Sequence, residues 1–241
     1  MRPMKPTRAR GTLAVTGALS AAAVAPAMAQ TPAPQTAAPP ASPAVSKPSA
    51  ATPKPVKTSS TFAVRSARRN VTLGNRTLVK GVLRPARGGR RVQLQVRASE
   101  GWKTVARDVT DGRGSYRLRF TPHRAAALHT RVAFAGDARG RAAARSVGTV
   151  NVFRRALASW YGPGLYGGRL ACGGRLSTGT LGVAHKSLPC GTKVTFRHRG
   201  RSVRVPVVDR GPFVGAREFD LTSATRSRLG FSGTGSVLTT R

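Results

Sequence analysis

The sequence predicts an all-β protein: an immunoglobulin-like (Ig-like) β-sandwich followed by a small closed β-barrel that carries one short helix. Three observations lead there. Across residues 62–153, apolar and polar residues alternate with period two in about seven short runs, the pattern of strands with one buried face. Turn-forming pairs separate the runs, among them Gly88-Gly89, Glu100-Gly101, Asp111-Gly112 and Gly136-Asp137, at a spacing that suits a sandwich. Beyond residue 156 the chain becomes Gly-rich and breaks into shorter apolar pieces around one helical stretch. A closed barrel removes the edges that such short strands would otherwise expose.

Two segments precede the folded units. Arg2, Lys5, Arg8 and Arg10 are followed by a mildly apolar run and then by Ala27-Met28-Ala29. This is the layout of a secretory signal over residues 1–29. The expectation is an exported protein, secreted or held in the cell wall, with no stable membrane anchor. Residues 30–61 are dominated by Pro, Ala, Thr and Ser. They lack the large apolar side chains a core needs and are expected to form an extended, disordered linker. In the sandwich, residues 62–153, strands are expected near 71–73, 78–83, 91–96, 102–106, 116–120, 130–134 and 147–152. In the second unit, residues 154–241, they are expected near 157–161, 181–185, 193–197, 202–208 and 235–239. A helix is expected over 222–229, with Thr222 or Ser223 as N-cap and Gly230 closing its C-terminus.

Charge narrows the function. Lys and Arg number 42 against 7 Asp and Glu, a formal net charge of +35, so anionic partners are favoured. Nucleic acid is not expected. The basic residues are scattered without a nucleic-acid motif, and aromatics, at 5%, are too few for a base-stacking platform. Beyond residue 137 only three acids remain, Asp209, Glu218 and Asp220, so any carboxyl chemistry in the second unit uses one of them. Asp209 ends a β-branched run just before the Gly211-Pro212 turn. Adjacent on a strand, Asp209 and Arg210 should project to opposite faces. Asp220 is expected to play a structural role at the start of the helix, where a carboxylate is favourable.

Four segments occur in order: Ala158-Ser159-Trp160-Tyr161-Gly162-Pro163-Gly164, Ala184-His185-Lys186-Ser187-Leu188-Pro189-Cys190-Gly191-Thr192, Val208-Asp209-Arg210-Gly211-Pro212-Phe213 and Phe219-Asp220-Leu221-Thr222. Through them residues 157–240 resemble the rare lipoprotein A (RlpA) family. The resemblance implies a six-stranded double-psi β-barrel, a fold shared with expansins. It also implies a lytic transglycosylase that cleaves peptidoglycan glycan strands without water, prefers strands stripped of stem peptides, and leaves 1,6-anhydro-N-acetylmuramic acid ends. It assigns Asp209 as acid/base, and it puts His185 at an active-site position, either orienting Asp209 or binding sugar; the alternative for His185 is a structural histidine at a strand end. Tyr161, Tyr166, Arg210 and Phe213 are the candidate substrate-binding residues. No metal or cofactor is implied, and a monomer is expected.

The family commonly reads Ala-Asn-Gly-Glu-Arg-Phe-Asp where this chain has Ala171-Cys172-Gly173-Gly174-Arg175-Leu176-Ser177. Gly174 and Ser177 therefore stand at acidic positions. This keeps a second reading open, a non-catalytic, expansin-like binder of peptidoglycan or of anionic wall polymers. Cys172 and Cys190 replace the family's Asn and Phe and are the chain's two cysteines. In a chain expected to be exported they are read as one disulfide, with two free thiols as the alternative. The sandwich, through its Gly-Trp, Asp-Gly-x-Gly-x-Tyr and Phe-x-Gly-Asp sequence, resembles Ig-like domains of exported bacterial surface proteins.

Overall fold

In a computed structural model, residues 56–241 are described. The expected signal and most of the expected linker lie outside the described residues. The strands in chain order are β1 (Thr61–Ala67), β2 (Asn70–Thr72), β3 (Thr77–Arg84), β4 (Arg91–Ala98), β5 (Gly101–Val109), β6 (Ser115–Phe120), β7 (Ala126–Phe134), β8 (Ala143–Tyr161), β9 (Val183–His185), β10 (Lys193–His198), β11 (Arg201–Asp209), β12 (Phe219–Thr222) and β13 (Gly235–Thr239). One helix, α1 (Ser223–Leu229), lies between the last two.

The alternating runs form two facing sheets. One has the order β1-β3-β6, and the other runs β5-β4-β7-β8, with β2 beside β8. Inward residues of both, including Phe62, Val79, Leu83, Val92, Leu94, Leu118 and Val132, make one core. Folding begins earlier than the expected linker boundary. Thr58 bridges to Gly140, and the Ser60 hydroxyl accepts a hydrogen bond from Arg90 Nη2 at 2.7 Å. β1 itself carried no strict alternation and was not among the expected strands.

No linker separates the two units at residue 153. β8 is 19 residues long; its first part pairs with β7 and its last part with β12 and β13. From there the strand order β8-β12-β9-β11-β10-β13 returns to β8 and closes a six-stranded barrel. Ala158, Val183, Val194, Phe196, Phe219, Leu221 and Leu229 fill it and are fully buried, with Phe196 and Phe219 meeting edge to face at 5.0 Å. The helix forms as expected. The Thr222 side chain caps it by accepting from the Thr225 amide, and Gly230 ends it in the left-handed conformation at φ 64°. The barrel also contains β12, a strand of four residues, too short to show period-two patterning.

Alternation along β11 breaks once. Val207 pairs with Val183, yet Asp209 pairs with the next residue, Ala184, so Val208 is an extra residue in the ladder. Its side chain lies over Gly182, where an added Cβ would sit 2.3 Å from Val208 Cγ2. Gly182→Ala should therefore lower stability by about 1–3 kcal/mol through overpacking, and adding Val208→Ala should recover part of that loss. Urea unfolding of the two variants checks this. A single variant as stable as the parent would show that the extra residue needs no glycine beneath it.

Candidate active site

Register brings four residues abreast across neighbouring strands. Ala184 on β9 is the partner of Asp209 on β11 and also of Asp220 on β12, and Asp220 is the partner of Ser159 on β8. Val183, Phe219 and Ala158, their neighbours in sequence, point into the core, so this row faces outward. Asp209 and Asp220 thus flank Ala184 with two strand spacings, about 10 Å, between their Cα atoms, and only a methyl group stands between them. Above the row lies a cleft of about 300 Å³ lined by Tyr161, Leu165, Ala184, Asp209, Arg210, Phe213, Val214, Arg217 and Asp220, among others. Phe213 is 77% exposed, and Val214 and Leu165 are also exposed, giving the cleft an apolar rim.

The two carboxylates are held differently. Asp209 Oδ1 accepts from the backbone amides of Ala171 and Arg210, each at 2.9 Å, and Oδ2 has no hydrogen-bond partner among the described residues. Asp220 Oδ1 accepts from Ser159 Oγ at 2.8 Å, and Arg217 Nη1 donates to the same Ser159 Oγ at 3.0 Å. Burial raises the Asp220 pKa. The Ser159 hydrogen bond and the Arg217 charge oppose that rise, and the Asp209 charge adds to it. The Tyr161 hydroxyl is buried and makes no hydrogen bond of normal geometry among the described residues. Burial pushes its pKa up, the Asp209 carboxylate pushes it further through its charge and as a loosely placed hydrogen-bond acceptor, and the Asp220 charge adds to this. The phenol thus stays protonated beside both carboxylates.

The disulfide positions one of those amides. Cys172 and Cys190 are bonded, with Cα atoms 5.5 Å apart. The bridge ties the loop that carries Leu165 and Ala171 to the turn after β9, and the Cys172 amide also donates to Val208 O at 3.1 Å. Gly174 lies in this loop at φ +78°, a backbone state that disfavours a side chain. Ser177 closes a local turn on Thr180.

Other candidates fall elsewhere. His185 follows Ala184 and so points away from the cleft. Its ring packs on Phe219 at 4.9 Å, and Nδ1 accepts from the amides of Ser187 and Leu188 at 3.1 and 3.0 Å. Burial lowers its pKa; Glu218 opposes this, and nearby cations add to it. Arg210, just beyond the end of β11, lines one edge of the cleft, with its guanidinium donating to Leu188 O at 3.0 Å and to Cys190 Sγ at 3.2 Å and so bracing the turn. Tyr166 lies against Gly162, outside the cleft lining. Tyr161 and Phe213 do line it. Asp220 is not at the helix start: the first turn of α1 has no acid and Thr222 is the cap. The sequence reading missed Ser159, Ala184, Leu165, Val214 and Arg217. Period-two spacing from Tyr161 points to Ser159, but nothing in the sequence places Arg217, which comes from a loop.

The raised Asp220 pKa carries a stability consequence. The folded state binds this proton more tightly than the unfolded chain. Stability is therefore undiminished below the unfolded value of about 3.9 and falls as pH rises through the folded value. Asp220→Asn keeps an acceptor for Ser159 and removes the charge. Its melting temperature should exceed the parent's at pH 7, and the gap should close by pH 3. Thermal unfolding at both values is the check, and a gap independent of pH would contradict the assignment.

Comparison with known proteins agrees with the barrel. The "Probable endolytic peptidoglycan transglycosylase RlpA" of Synechocystis is 44% identical over 93 residues, covering 37% of this chain and 29% of that protein. The "Endolytic peptidoglycan transglycosylase RlpA" of Campylobacter jejuni is 41% identical over 83 residues, covering 34% of this chain and 30% of that protein. That of Neisseria meningitidis serogroup A is 40% identical over 82 residues, covering 33% and 34%. The chain thus spans about a third of the length of the curated relatives it matches. Among solved structures, the Streptomyces papain inhibitor aligns at 23% identity and a TM-score of 0.29, over 37% of this chain and 94% of that one. Residues 154–239 match the family model described as lytic transglycolase, and this C-terminal part of the chain is a double-psi β-barrel.

Proposed function

We propose that the barrel is a lytic transglycosylase acting on peptidoglycan glycan strands in the cell envelope, with Asp209 and Asp220 as its acid/base pair. The observation that carries this reading is the row itself: two carboxyl groups, each with one oxygen making no hydrogen bond of normal geometry among the described residues, on either side of Ala184 in an open cleft. Pairs of carboxyl groups in unlike surroundings divide acid and base roles. Asp220, whose pKa burial raises, is the proton donor to the glycosidic oxygen. The bond from that oxygen to C1 breaks and the leaving sugar keeps the proton. The C6 hydroxyl of the same residue then bonds to C1 and releases its proton to Asp209, giving the 1,6-anhydro product. No water is consumed; Asp209 passes its proton to solvent and Asp220 takes one back, which restores both groups. Phe213, Val214 and Leu165 present apolar surface to sugar rings. This assignment differs from the sequence expectation by adding Asp220 and by leaving His185 a structural role.

The competing reading is a wall protein that binds without cleaving. It is favoured by Gly174 and Ser177, which supply no acid to the loop beside the cleft. Mass spectrometry of soluble products separates the two, using the full chain with intact and amidase-treated sacculi. We expect 1,6-anhydro muropeptides, with Asp209→Asn and Asp220→Asn each slowing release by about 10²–10⁴-fold, the usual size of acid/base contributions, while both variants keep a cooperative unfolding transition. The parent rate should fall on the alkaline side as Asp220 ionises, at a pH above the ordinary Asp range near 3.9. Products with free reducing ends would replace transglycosylation with hydrolysis. No release from either substrate would leave the binding reading.

A further inference from the structure

The outward face of the second sandwich sheet carries an organised polar surface with no part in the site above. Gln95 on β4 pairs with Thr104 on β5 and with Arg131 on β7. Gln95 Nε2 donates to Gln93 Oε1 at 2.9 Å and to Thr104 Oγ1 at 3.3 Å, and the Thr104 hydroxyl donates to Gln93 Oε1 at 3.0 Å. Arg131 Nε donates to Gln95 Oε1 at 2.8 Å. The Arg131 guanidinium also lies over the Trp102 ring, 4.2 Å from its centroid. Beside this network runs a groove of about 390 Å³, lined by Gln93, Gln95, Arg131 and a stretch of alanines that includes Ala133, Ala142 and Ala144.

We propose that this groove binds a carboxylate-bearing glycan. The donor and acceptor balance identifies the ligand. The network uses the acceptor oxygens of Gln93 and Gln95 internally, whereas Gln93 Nε2 and the two terminal nitrogens of Arg131 have no partner among the described residues. No acid lines the groove. What remains is a set of donors around one positive charge, complementary to an acceptor-rich anion. The Arg131 fork is fixed twice, by its Nε hydrogen bond and by stacking on Trp102, so it is preset for a bidentate carboxylate. Gln93 Nε2 can meet a hydroxyl or an N-acetyl carbonyl of a neighbouring ring, and the alanines leave the shallow width that a sugar ring needs. Preorganisation of this kind reduces the ordering cost of binding.

Calorimetric titration of the full chain at near-physiological salt tests this with three probes: an oligosaccharide of alternating N-acetylglucosamine and glucuronic acid, a neutral N-acetylglucosamine oligomer, and inorganic polyphosphate. The carboxylated oligosaccharide should bind best. Arg131→Gln and Trp102→Ala should each weaken it at least tenfold. Arg124→Gln, which removes the same charge from an exposed position elsewhere on the sandwich, should change it less than twofold. Arg131→Lys should not restore it, because an ammonium lacks the fork. Absence of binding to the carboxylated probe overturns the proposal, as does equal loss in the Arg124 and Arg131 variants. Equal affinity for the neutral oligomer, or Arg131-dependent binding of polyphosphate at equal strength, overturns the carboxylate assignment. None of the probes is a peptidoglycan, so failure here leaves the reading of the barrel untouched.

Discussion

β11 sends Val205 and Val207 into the barrel core, and strict alternation would send Asp209 after them. A carboxylate among Val183, Phe219 and Leu221 would lose its hydration with nothing to replace it, at a cost of several kcal/mol. The extra residue at Val208 resets the alternation. Asp209 then stands beside Ala184 on the outer face, level with Asp220. Bulges recur beside active sites because one inserted residue re-aims a side chain while the rest of the strand keeps its pairing. Gly182 makes room for the displaced Val208, so a residue with no side chain on β9's approach supports the direction of a carboxylate on β11.

The loop beyond β8 contributes backbone rather than charge. Its Ala171 amide holds Asp209 Oδ1, its Cys172 amide holds Val208 O, and the bridge to Cys190 anchors both. Closing an 18-residue span by a disulfide contributes about 3 kcal/mol in the chain-entropy model, and here the restraint falls on a Gly-rich segment that would otherwise lose much backbone freedom on ordering. Cys172, Gly174 and Ser177 lie in the same loop, which the bridge to Cys190 anchors. A covalent tie thus fixes this loop against the barrel strands that carry Asp209 and Asp220.

Period-two patterning located most strands because one face of each is buried and the other wet. It failed at β1, where Val64 and Ser66 straddle a register shift, and at β12, only four residues long. It also could not show that β8 crosses the expected boundary, since a strand shared by two cores shows no composition change. The site was half legible. Asp209 stood out through the scarcity of acids, and Tyr161 and Phe213 through their neighbours in the motifs. The pairing of Asp209 with Asp220 through Ala184 depends on strands distant in sequence, and the direction of Asp209 depends on a bulge that alternation arguments ignore. His185 misled because its place beside Ala184 in the chain says nothing of which of the two faces the cleft.

The surplus of cations sharpens what a free carboxylate requires in this chain. Of the 7 acids, Glu218 forms a two-point pair with Arg154, Asp137 is held by Arg90 and two amides, and Asp108 and Asp111 accept from backbone amides in the sandwich. Asp209 and Asp220 are both close to arginines yet form no salt bridge among the described residues. The reason is that the guanidiniums are engaged with neutral groups. Arg210 donates to the carbonyl of Leu188 and the sulfur of Cys190. Arg217 donates to the carbonyl of Val214 and the hydroxyl of Ser159. An ion pair would fix either carboxylate in its charged form and fill its open oxygen. By binding these arginines to carbonyl, hydroxyl and sulfur acceptors, the barrel keeps a positive field around the cleft without neutralising either acid, the condition under which two carboxyl groups remain available to move protons.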